Sequence, residues 1–227
     1  MRRHRNLYGK IISFQNLLLA AKLAQRGKRF KGSTAGFNFS LERELWNLHE
    51  ELAEKRYEPG AYRHFTIYEP KKRLISAAPY RDRIVHHAMH NILGPLFDPT
   101  FIHDSYATRK YKGTHAAIDR FQKFAQINPY VLKCDIQKYF PSIDHEILIR
   151  LIERKIDCVD TMWLIKTNLA SFQDRDGTGF AAHSPQPTAR YPYRQSYLSI
   201  FCERLSQRDG SSHSRTSRLS ILSPLHG

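Results

Sequence analysis

The fold is decided by the stretch Tyr130-Val131-Leu132-Lys133-Cys134-Asp135-Ile136-Gln137-Lys138-Tyr139-Phe140-Pro141-Ser142-Ile143-Asp144-His145. Residues 129–134 are mostly apolar and β-favouring, so they predict a short buried strand with Asp135 at its C-terminal end. A helix is predicted to begin at Ser142 or Asp144. Strand, carboxylate, aromatic pair and helix in this order suit a metal-dependent phosphoryl-transfer site. The other interpretation is a strand that ends in an Asp turn before a helix.

The composition indicates a basic protein with a sizeable core. The chain has 227 residues, with 36 Lys and Arg against 21 Asp and Glu, a formal charge of +15. Such an excess predicts a polyanionic partner, most simply nucleic acid, although a ribosomal or membrane-surface protein could share it. No apolar run is long enough to span a bilayer and no signal-peptide cleavage pattern is found, so we expect a cytoplasmic protein without a membrane partner. The three cysteines are too far apart for a zinc cluster and suit a reducing compartment.

The first part of the chain shows helical periodicity. Apolar residues between Leu7 and Gln25 predict one helix, and the segment from Arg26 to Phe37 predicts a basic loop. A second helix is predicted from Ser40 to Arg56, opening with a capping box at Ser40.

The period changes between Tyr57 and Ala78. Residues 62–68 and 73–77 predict the two strands of a hairpin, and Glu69-Pro70-Lys71-Lys72 predicts its turn. Lys72 and its neighbours at the tip could fold over a triphosphate or form a solvated turn.

Two further helices are predicted before the central strand. The first begins at Pro79 and runs to about Leu93. Its histidines at 86, 87 and 90 have spacings that a metal pair could use, but no companion ligand is near in sequence, so we favour a packed or hydrogen-bonded face. A loop from Asp98 to Gly113 precedes the second, Thr114 to Ala125. Cations around Tyr111 lie just before that helix, where phosphate is favoured.

Three series of residues stand in order along the chain: Pro79-x-Arg81-Asp82-Arg83-Ile84-Val85, then Phe97-x-Pro99 to Ser105-Tyr106-x-x-Arg109-x-x-x-Gly113-Thr114-His115-x-Ala117, then Asp135-x-x-x-Tyr139-Phe140-x-x-Ile143-Asp144-His145. Together they resemble the fingers and first palm motif of bacterial reverse transcriptases of the group II intron, retron and diversity-generating types. The resemblance covers about residues 39–171. It implies an α/β (α+β) fingers–palm fold and an RNA-directed DNA polymerase.

The resemblance also implies roles for individual residues. Asp135 would be a ligand of two Mg²⁺ ions, and the backbone of Ile136 would help to hold a metal. Phe140 would stack under the sugar of the incoming deoxynucleotide and exclude a 2′-hydroxyl. The incoming nucleotide or the template would be contacted by Arg73, Arg81, Arg109 and Lys112. The implied partners are an RNA template, a DNA primer and a deoxynucleoside triphosphate, and the implied cofactor is magnesium.

The chain departs from the family where the palm should continue. The tyrosine-x-aspartate-aspartate hairpin of such polymerases is missing, and after Lys166 the sequence turns rich in serine, arginine and proline. We therefore expect residues 172–227 to form a disordered or poorly packed tail. Since one carboxylate cannot hold two metals, we expect little or no polymerase activity.

The genetic code offers a sharper explanation of the tail. Read from the second base of each codon, residues 190–208 can encode GIPIGNLTSQFFANVYLN, the next palm segment of these enzymes. In the same register, residues 219–227 can encode FRYYRRYMD, which ends inside the missing hairpin. We infer a frame slip between about residues 171 and 189, whether by sequencing error, pseudogene decay or programmed frameshifting.

The sequence thus predicts four segments: a basic helical extension (1–38), fingers (39–128), the start of a palm (129–171) and an out-of-frame or disordered tail (172–227). The competing interpretation is a non-catalytic RNA-binding protein in which Asp135 is a turn residue. A ribosome-associated structural protein would rest on charge alone.

Overall fold

The computed structural model describes residues 3–68, 73–136, 143–171 and 217–221, the last range and positions 73, 74, 135 and 136 by their backbone alone. The described residues form a mixed α+β structure of helices with two small antiparallel sheets. The helices are α1 Tyr8–Ile12, α2 Phe14–Ala24, α3 Gly32–Phe39, α4 Leu41–Ala53, α5 Tyr80–Phe97, α6 Thr114–Ala125, α7 His145–Glu153 and α8 Val159–Ala170. The strands are β1 Arg63–Ile67, β2 Arg73–Ala77, β3 Leu132–Ile136 and β4 Ser217–Ile221.

The single helix predicted for residues 7–25 is wrong, because the chain breaks it at Ser13. Ser13 has φ −54° and ψ 140°, and its hydroxyl accepts a hydrogen bond from the backbone N–H of Asn16 at 3.4 Å. Serine satisfies the free N–H groups at a helix start, so α1 and α2 form instead of one helix. Apolar periodicity runs through the break and therefore does not reveal it.

Two local predictions at the next helices also fail. The predicted basic loop at residues 26–37 contains the start of α3. The capping box at Ser40 does not form: Ser40 makes no side-chain cap bond, and the Arg43 guanidinium donates to its hydroxyl at 3.3 Å. The apolar stripe of α4 is confirmed, since Leu45, Leu48 and Leu52 are fully buried.

The predicted hairpin is confirmed. Strands β1 and β2 pair antiparallel, with Arg63 opposite Ala77 and Ile67 opposite Arg73. Lys72 and the rest of the predicted cationic tip lie outside the described residues.

Helix α5 lies at the centre of the core and packs mainly on α2 and α1. Its residues Ile84, Val85 and Ala88 are fully buried in one apolar cluster. The same cluster includes Ile11 of α1 and Ile152 of α7, so it crosses two of the predicted segment boundaries. The helix also runs four residues further than predicted, through Pro95, which lies in its last turn where its missing N–H removes only one bond.

Two backbone hydrogen bonds join the beginning of the chain to the turn between α7 and α8. The backbone N–H of His4 donates to the Lys155 carbonyl at 2.7 Å, and the Asp157 N–H donates to the His4 carbonyl at 2.9 Å. Lys155 is itself buried: its ammonium donates to the Leu96 carbonyl at 3.2 Å and lies 5.2 Å from the centroid of the Phe97 ring. A cation at the last carbonyls of α5 is stabilised by the helix dipole.

The segments around the central strand follow the sequence in part. Helix α6 has its predicted bounds, and α7 begins after Asp144, whose carboxylate accepts from the N–H groups of Glu146 (2.8 Å) and Ile147 (3.0 Å). The strand predicted before Asp135 is shifted to Leu132–Ile136.

The prediction that this strand is buried is wrong. Strand β3 pairs antiparallel with β4, with Asp135 opposite Arg218, and Leu132 remains 59% exposed. A two-stranded sheet covers little of its own apolar surface. Within the predicted tail, residues 217–221 form strand β4 by their backbone, and the expectation of a poorly packed tail stays a prediction. The other residues of the tail lie outside those that the structure describes.

Candidate nucleic-acid interface

The residues that the resemblance assigns to metal and nucleotide lie mostly at the edge of the described structure. Asp135 and Ile136 are placed by their backbone as the last two residues of β3, and Arg73 is placed by its backbone as the first residue of β2. Phe140 lies outside the described residues. Their proposed contacts with metal and nucleotide stay predictions.

A metal centre is not formed by the side chains that the structure describes. Within that part of the chain, no group of three or more His, Cys, Asp or Glu residues could hold an ion. The Asp135 carboxylate is not among the side chains described. The fit of a magnesium ion at this position therefore remains a prediction.

Arg81 joins the start of α5 to α4. Its guanidinium forms an ion pair with the Glu51 carboxylate and lies 5.3 Å from the centroid of the Tyr57 ring. Burial lowers the pKa of Arg81, although the charges of Asp82 and Glu44 oppose that shift. A nucleotide that binds Arg81 would therefore share or compete for its charge with Glu51.

Asp82 is an anchor that the sequence did not reveal. Its buried carboxylate accepts from the Tyr57 hydroxyl at 2.9 Å and from the Gly60 N–H at 2.8 Å. Burial raises the pKa of Asp82, while these two hydrogen bonds and Arg81 act against the rise. A Cβ at Gly60 would come within 3.1 Å of the Pro79 ring, so a larger residue there would have to shift that ring slightly. Asp82 thereby fixes the entry to α5 and the position of the arginines beside it. The feature of the sequence that could have revealed this role is the position of an acidic residue between two arginines, Arg81 and Arg83.

The histidines of α5 form a packed face, as the sequence indicated. His86 is buried and shares a 3.1 Å hydrogen bond with the Asn168 side chain of α8. Its Nδ1 atom has no hydrogen-bond partner among the described residues. Burial lowers the pKa of His86 to about 4, and burial together with the charge of His90 lowers that of His87 to about 3. Both rings are therefore neutral at physiological pH.

Arg109 holds the loop of residues 98–113 together from the inside. Its guanidinium donates to the Asp98 carboxylate (3.1 Å) and to the backbone carbonyls of Ile102 (3.0 Å) and Ser105 (3.4 Å). Only 12% of its side chain is exposed, and it lies 5.9 Å from the centroid of the Phe101 ring. Its predicted contact with nucleic acid is untested, whereas this structural role is clear.

Lys112 also points into the loop. Its ammonium donates to the His103 carbonyl and lies 4.9 Å from the centroid of the Tyr106 ring. Next to it, Asp104 accepts from Arg120 of α6 at 2.9 Å, and this hydrogen bond is the main cause of a pKa for Asp104 of about 2. The loop is therefore tied both to itself and to α6.

Between Arg109 and Lys112, two residues face outward. Tyr111 is 90% exposed, and the Lys110 ammonium lies 4.9 Å from the centroid of its ring. Tyr111 has φ +61°, a left-handed backbone conformation that is uncommon for residues other than glycine.

Helix α6 beside the loop has no buried residue. Its apolar side chains Ile118, Phe121 and Phe124 remain about half exposed. Arg120 lies 4.4 Å from the centroid of the Phe124 ring. In the described part of the chain, no helix is long and apolar enough to cross a membrane.

Several known proteins are similar to part of this chain. No family model matches the chain. Protein YkfC of Escherichia coli is 30% identical over 132 residues, which are 54% of this chain and 34% of that protein. The COX1/OXI3 intron 1 protein of Saccharomyces cerevisiae is 28% identical over 137 residues, 59% of this chain and 16% of that protein. The group II intron-encoded protein LtrA of Lactococcus lactis is 25% identical over 152 residues, 64% of this chain and 24% of that protein.

The chain thus spans about a third or less of the length of these relatives. The similarity supports a relationship with group II intron-encoded proteins.

Proposed function

We propose that this chain is the fingers and the first part of the palm of a reverse transcriptase of the group II intron type. The observation that carries the proposal is the similarity to group II intron-encoded proteins over 59–64% of the chain. The three motif series of the sequence agree with the proposal, since they stand in the order of the fingers and first palm motif.

The arrangement of elements is compatible with this proposal. A hairpin (β1–β2) precedes α5 with its Arg81-Asp82-Arg83 start, and a self-bonded loop precedes α6. Strand β3 then carries Asp135, and α7 follows. The family reaction would be addition of deoxynucleotides to a primer 3′ end on an RNA template. An RNA-containing duplex would be held by its backbone and shape, for which the charge of +15 is suited.

Asp135 is the residue that would hold magnesium, which when bound stabilises negative charge on the transferring phosphate. The protein's own task would be to position nucleotide and template. Arg81 and Arg73 are the proposed nucleotide contacts, and Phe140 is the proposed wall under the sugar. For Arg81, a bound phosphate oxygen would share or compete for its charge with the Glu51 carboxylate.

We further propose that the tail results from a frame slip and that the 227 residues as they stand have little or no polymerase activity. The reason is chemical: two-metal transfer needs further carboxylates beside Asp135. The source gene can be sequenced from the codon of Leu169 to well past that of Gly227. The frame slip is supported if the gene contains an inserted or deleted base and the corrected reading frame continues through the catalytic hairpin. Codons that forbid this register would overturn it.

The activity itself is tested by primer extension on an RNA template with magnesium. The chain encoded by the gene once the frame slip has been corrected, called the repaired chain, is expected to extend the primer. Asp135→Ala in the repaired chain is expected to abolish extension. The unrepaired chain is expected to be inactive. Extension by the unrepaired chain, lost on Asp135→Ala, would contradict the proposed inactivity.

The non-catalytic RNA-binding protein is the alternative outcome of the same test. It gains if the repaired chain binds RNA without extending a primer. Arg109→Ala is a poor test of binding, since it also removes the bonds that hold its own loop.

A further inference from the structure

We propose that Tyr111, with Lys110 beside it, forms a stacking site for a base of single-stranded RNA. The proposal rests on the proposed function only in taking RNA as the ligand. It assigns the contact to the two outward residues of the loop and not to Arg109 and Lys112, which the sequence indicated.

Two cations of the loop donate their hydrogen bonds to the loop itself. The Arg109 guanidinium makes its hydrogen bonds to Asp98, Ile102 and Ser105, and the Lys112 ammonium donates to the His103 carbonyl. The Arg109 guanidinium uses all its N–H donors within the loop and cannot bind a phosphate without giving up partners. The two inward cations therefore act as a frame.

The loop that these two cations hold presents the side chain of Tyr111 to solvent. Tyr111 keeps a left-handed backbone (φ +61°) and a ring that is 90% exposed. Such a backbone is unfavourable for a bulky residue and persists only where its surroundings fix it. The bonds of Arg109 and Lys112 on either side supply that restraint. A large aromatic ring is thus exposed to solvent on a restrained backbone.

The exposed Tyr111 ring and its neighbouring cation suit a single-stranded nucleic acid. The Lys110 ammonium lies over one face of the Tyr111 ring, 4.9 Å from its centroid, and adds positive charge that attracts phosphates. The other face of this exposed ring is left for a nucleobase to stack on. In a duplex the base faces are already stacked, so a single strand fits this site better than a double strand. The net charge of +15 brings a polyanion to the surface without sequence preference.

The test uses the full 227-residue chain and a fluorescein-labelled single-stranded oligouridylate, with affinity read from anisotropy. Tyr111→Ala is expected to weaken binding roughly tenfold, the loss of one stacked base. Tyr111→Phe is expected to bind as the unchanged protein does. Lys110→Ala is expected to lower the salt dependence of binding by about one phosphate contact. Tyr130→Ala, which removes another exposed aromatic ring outside the loop, is the matched control and should have no effect.

A direct readout comes from Tyr111→Trp, whose fluorescence should be quenched when the oligouridylate binds. Unchanged affinity of Tyr111→Ala would overturn the proposal, as would an equal loss in Tyr130→Ala. Equal dependence on Tyr111 for a blunt double-stranded RNA, or for polyglutamate, would also overturn it, because the site would then read charge and not base. Because no polymerisation is involved, failure here is distinct from absence of primer extension by the repaired chain.

Discussion

Helices α5 and α6 follow one another in the chain but have opposite surroundings. Eleven of the 18 residues of α5 are buried, and they include Asp82, His86 and His87. Helix α6 has an apolar stripe at clean helical spacing and buries none of its 12 residues. Periodicity therefore sets helical conformation, whereas the position of a helix against the rest of the core decides how much it stabilises the fold.

Hydrogen exchange should show the largest difference between the two helices. Amides in the middle of α5 are expected to exchange only through global unfolding, and those of α6 through local opening. The protection factors should differ by roughly a thousandfold or more. The measurement is exchange read by mass spectrometry or NMR. Equal protection would mean that α6 is covered in solution.

Truncation of one apolar side chain in each helix gives the next largest effect. Ile84→Ala in α5 should lower the free energy of unfolding by about 2–5 kcal/mol, since Ile84 is fully buried. Phe121→Ala in α6 should change it by less than about 0.5 kcal/mol. Urea denaturation of both variants measures the two values. A cost at Phe121 that matches the cost at Ile84 would contradict the exposed position of α6.

Acid should destabilise the protein through α5. The pKa of His86 is lowered by burial from 6.5 to about 4, so its contribution to stability is complete above about pH 6.5 and is lost as pH falls towards 4. At pH 5 the protonation of His86 in the unfolded state should lower the free energy of unfolding by about 2 kcal/mol relative to pH 7. His86→Gln stays neutral and should reduce the fall in stability between pH 7 and pH 5 by this amount.

His115→Gln in α6 is the control for the acid experiment. The His115 side chain is exposed, so this variant replaces a histidine without disturbing the core. An unchanged slope in His86→Gln would show that His86 is not the buried group that titrates.

The smallest effect is expected at helix starts. Asp144→Ala removes the acceptor for two N–H groups of α7 and should cost about 1 kcal/mol, while Asp144→Ser should keep most of the cap. Helix α6 begins without a side-chain cap, so Thr114→Ala should cost less than about 0.5 kcal/mol. Thermal unfolding of the three variants checks the order, and equal costs in α6 and α7 would contradict it.

Elements with a strong local signal could be predicted from the sequence. The hairpin, the bounds of α6 and the start of α7 at Asp144 follow from alternation, turn residues and a capping side chain. The break at Ser13 could not be found, because α1 and α2 keep their apolar residues in phase across it. The burial of β3 was overestimated, because an apolar run does not say what covers it.

The types of residue at the candidate site could be predicted from the sequence, but the directions of their side chains could not. A sequence shows that Arg109 and Lys112 lie near a helix start, yet it does not show that carbonyls of the same loop accept their hydrogen bonds. Asp82 was treated as a member of a motif, and its role as a buried acceptor depends on Tyr57 and Gly60, which are more than twenty residues away in the chain. Long-range partners of this kind leave no local pattern.

The buried ammonium of Lys155 has a practical consequence for chemical labelling. An amine-acylating reagent reaches exposed lysines such as Lys110 at once, but it reaches Lys155 only when the contact with the end of α5 opens. The rate of modification at this one position therefore reports how often the contact with the end of α5 opens. It gives a readout of folding that works in a crude extract, without purification or an attached probe.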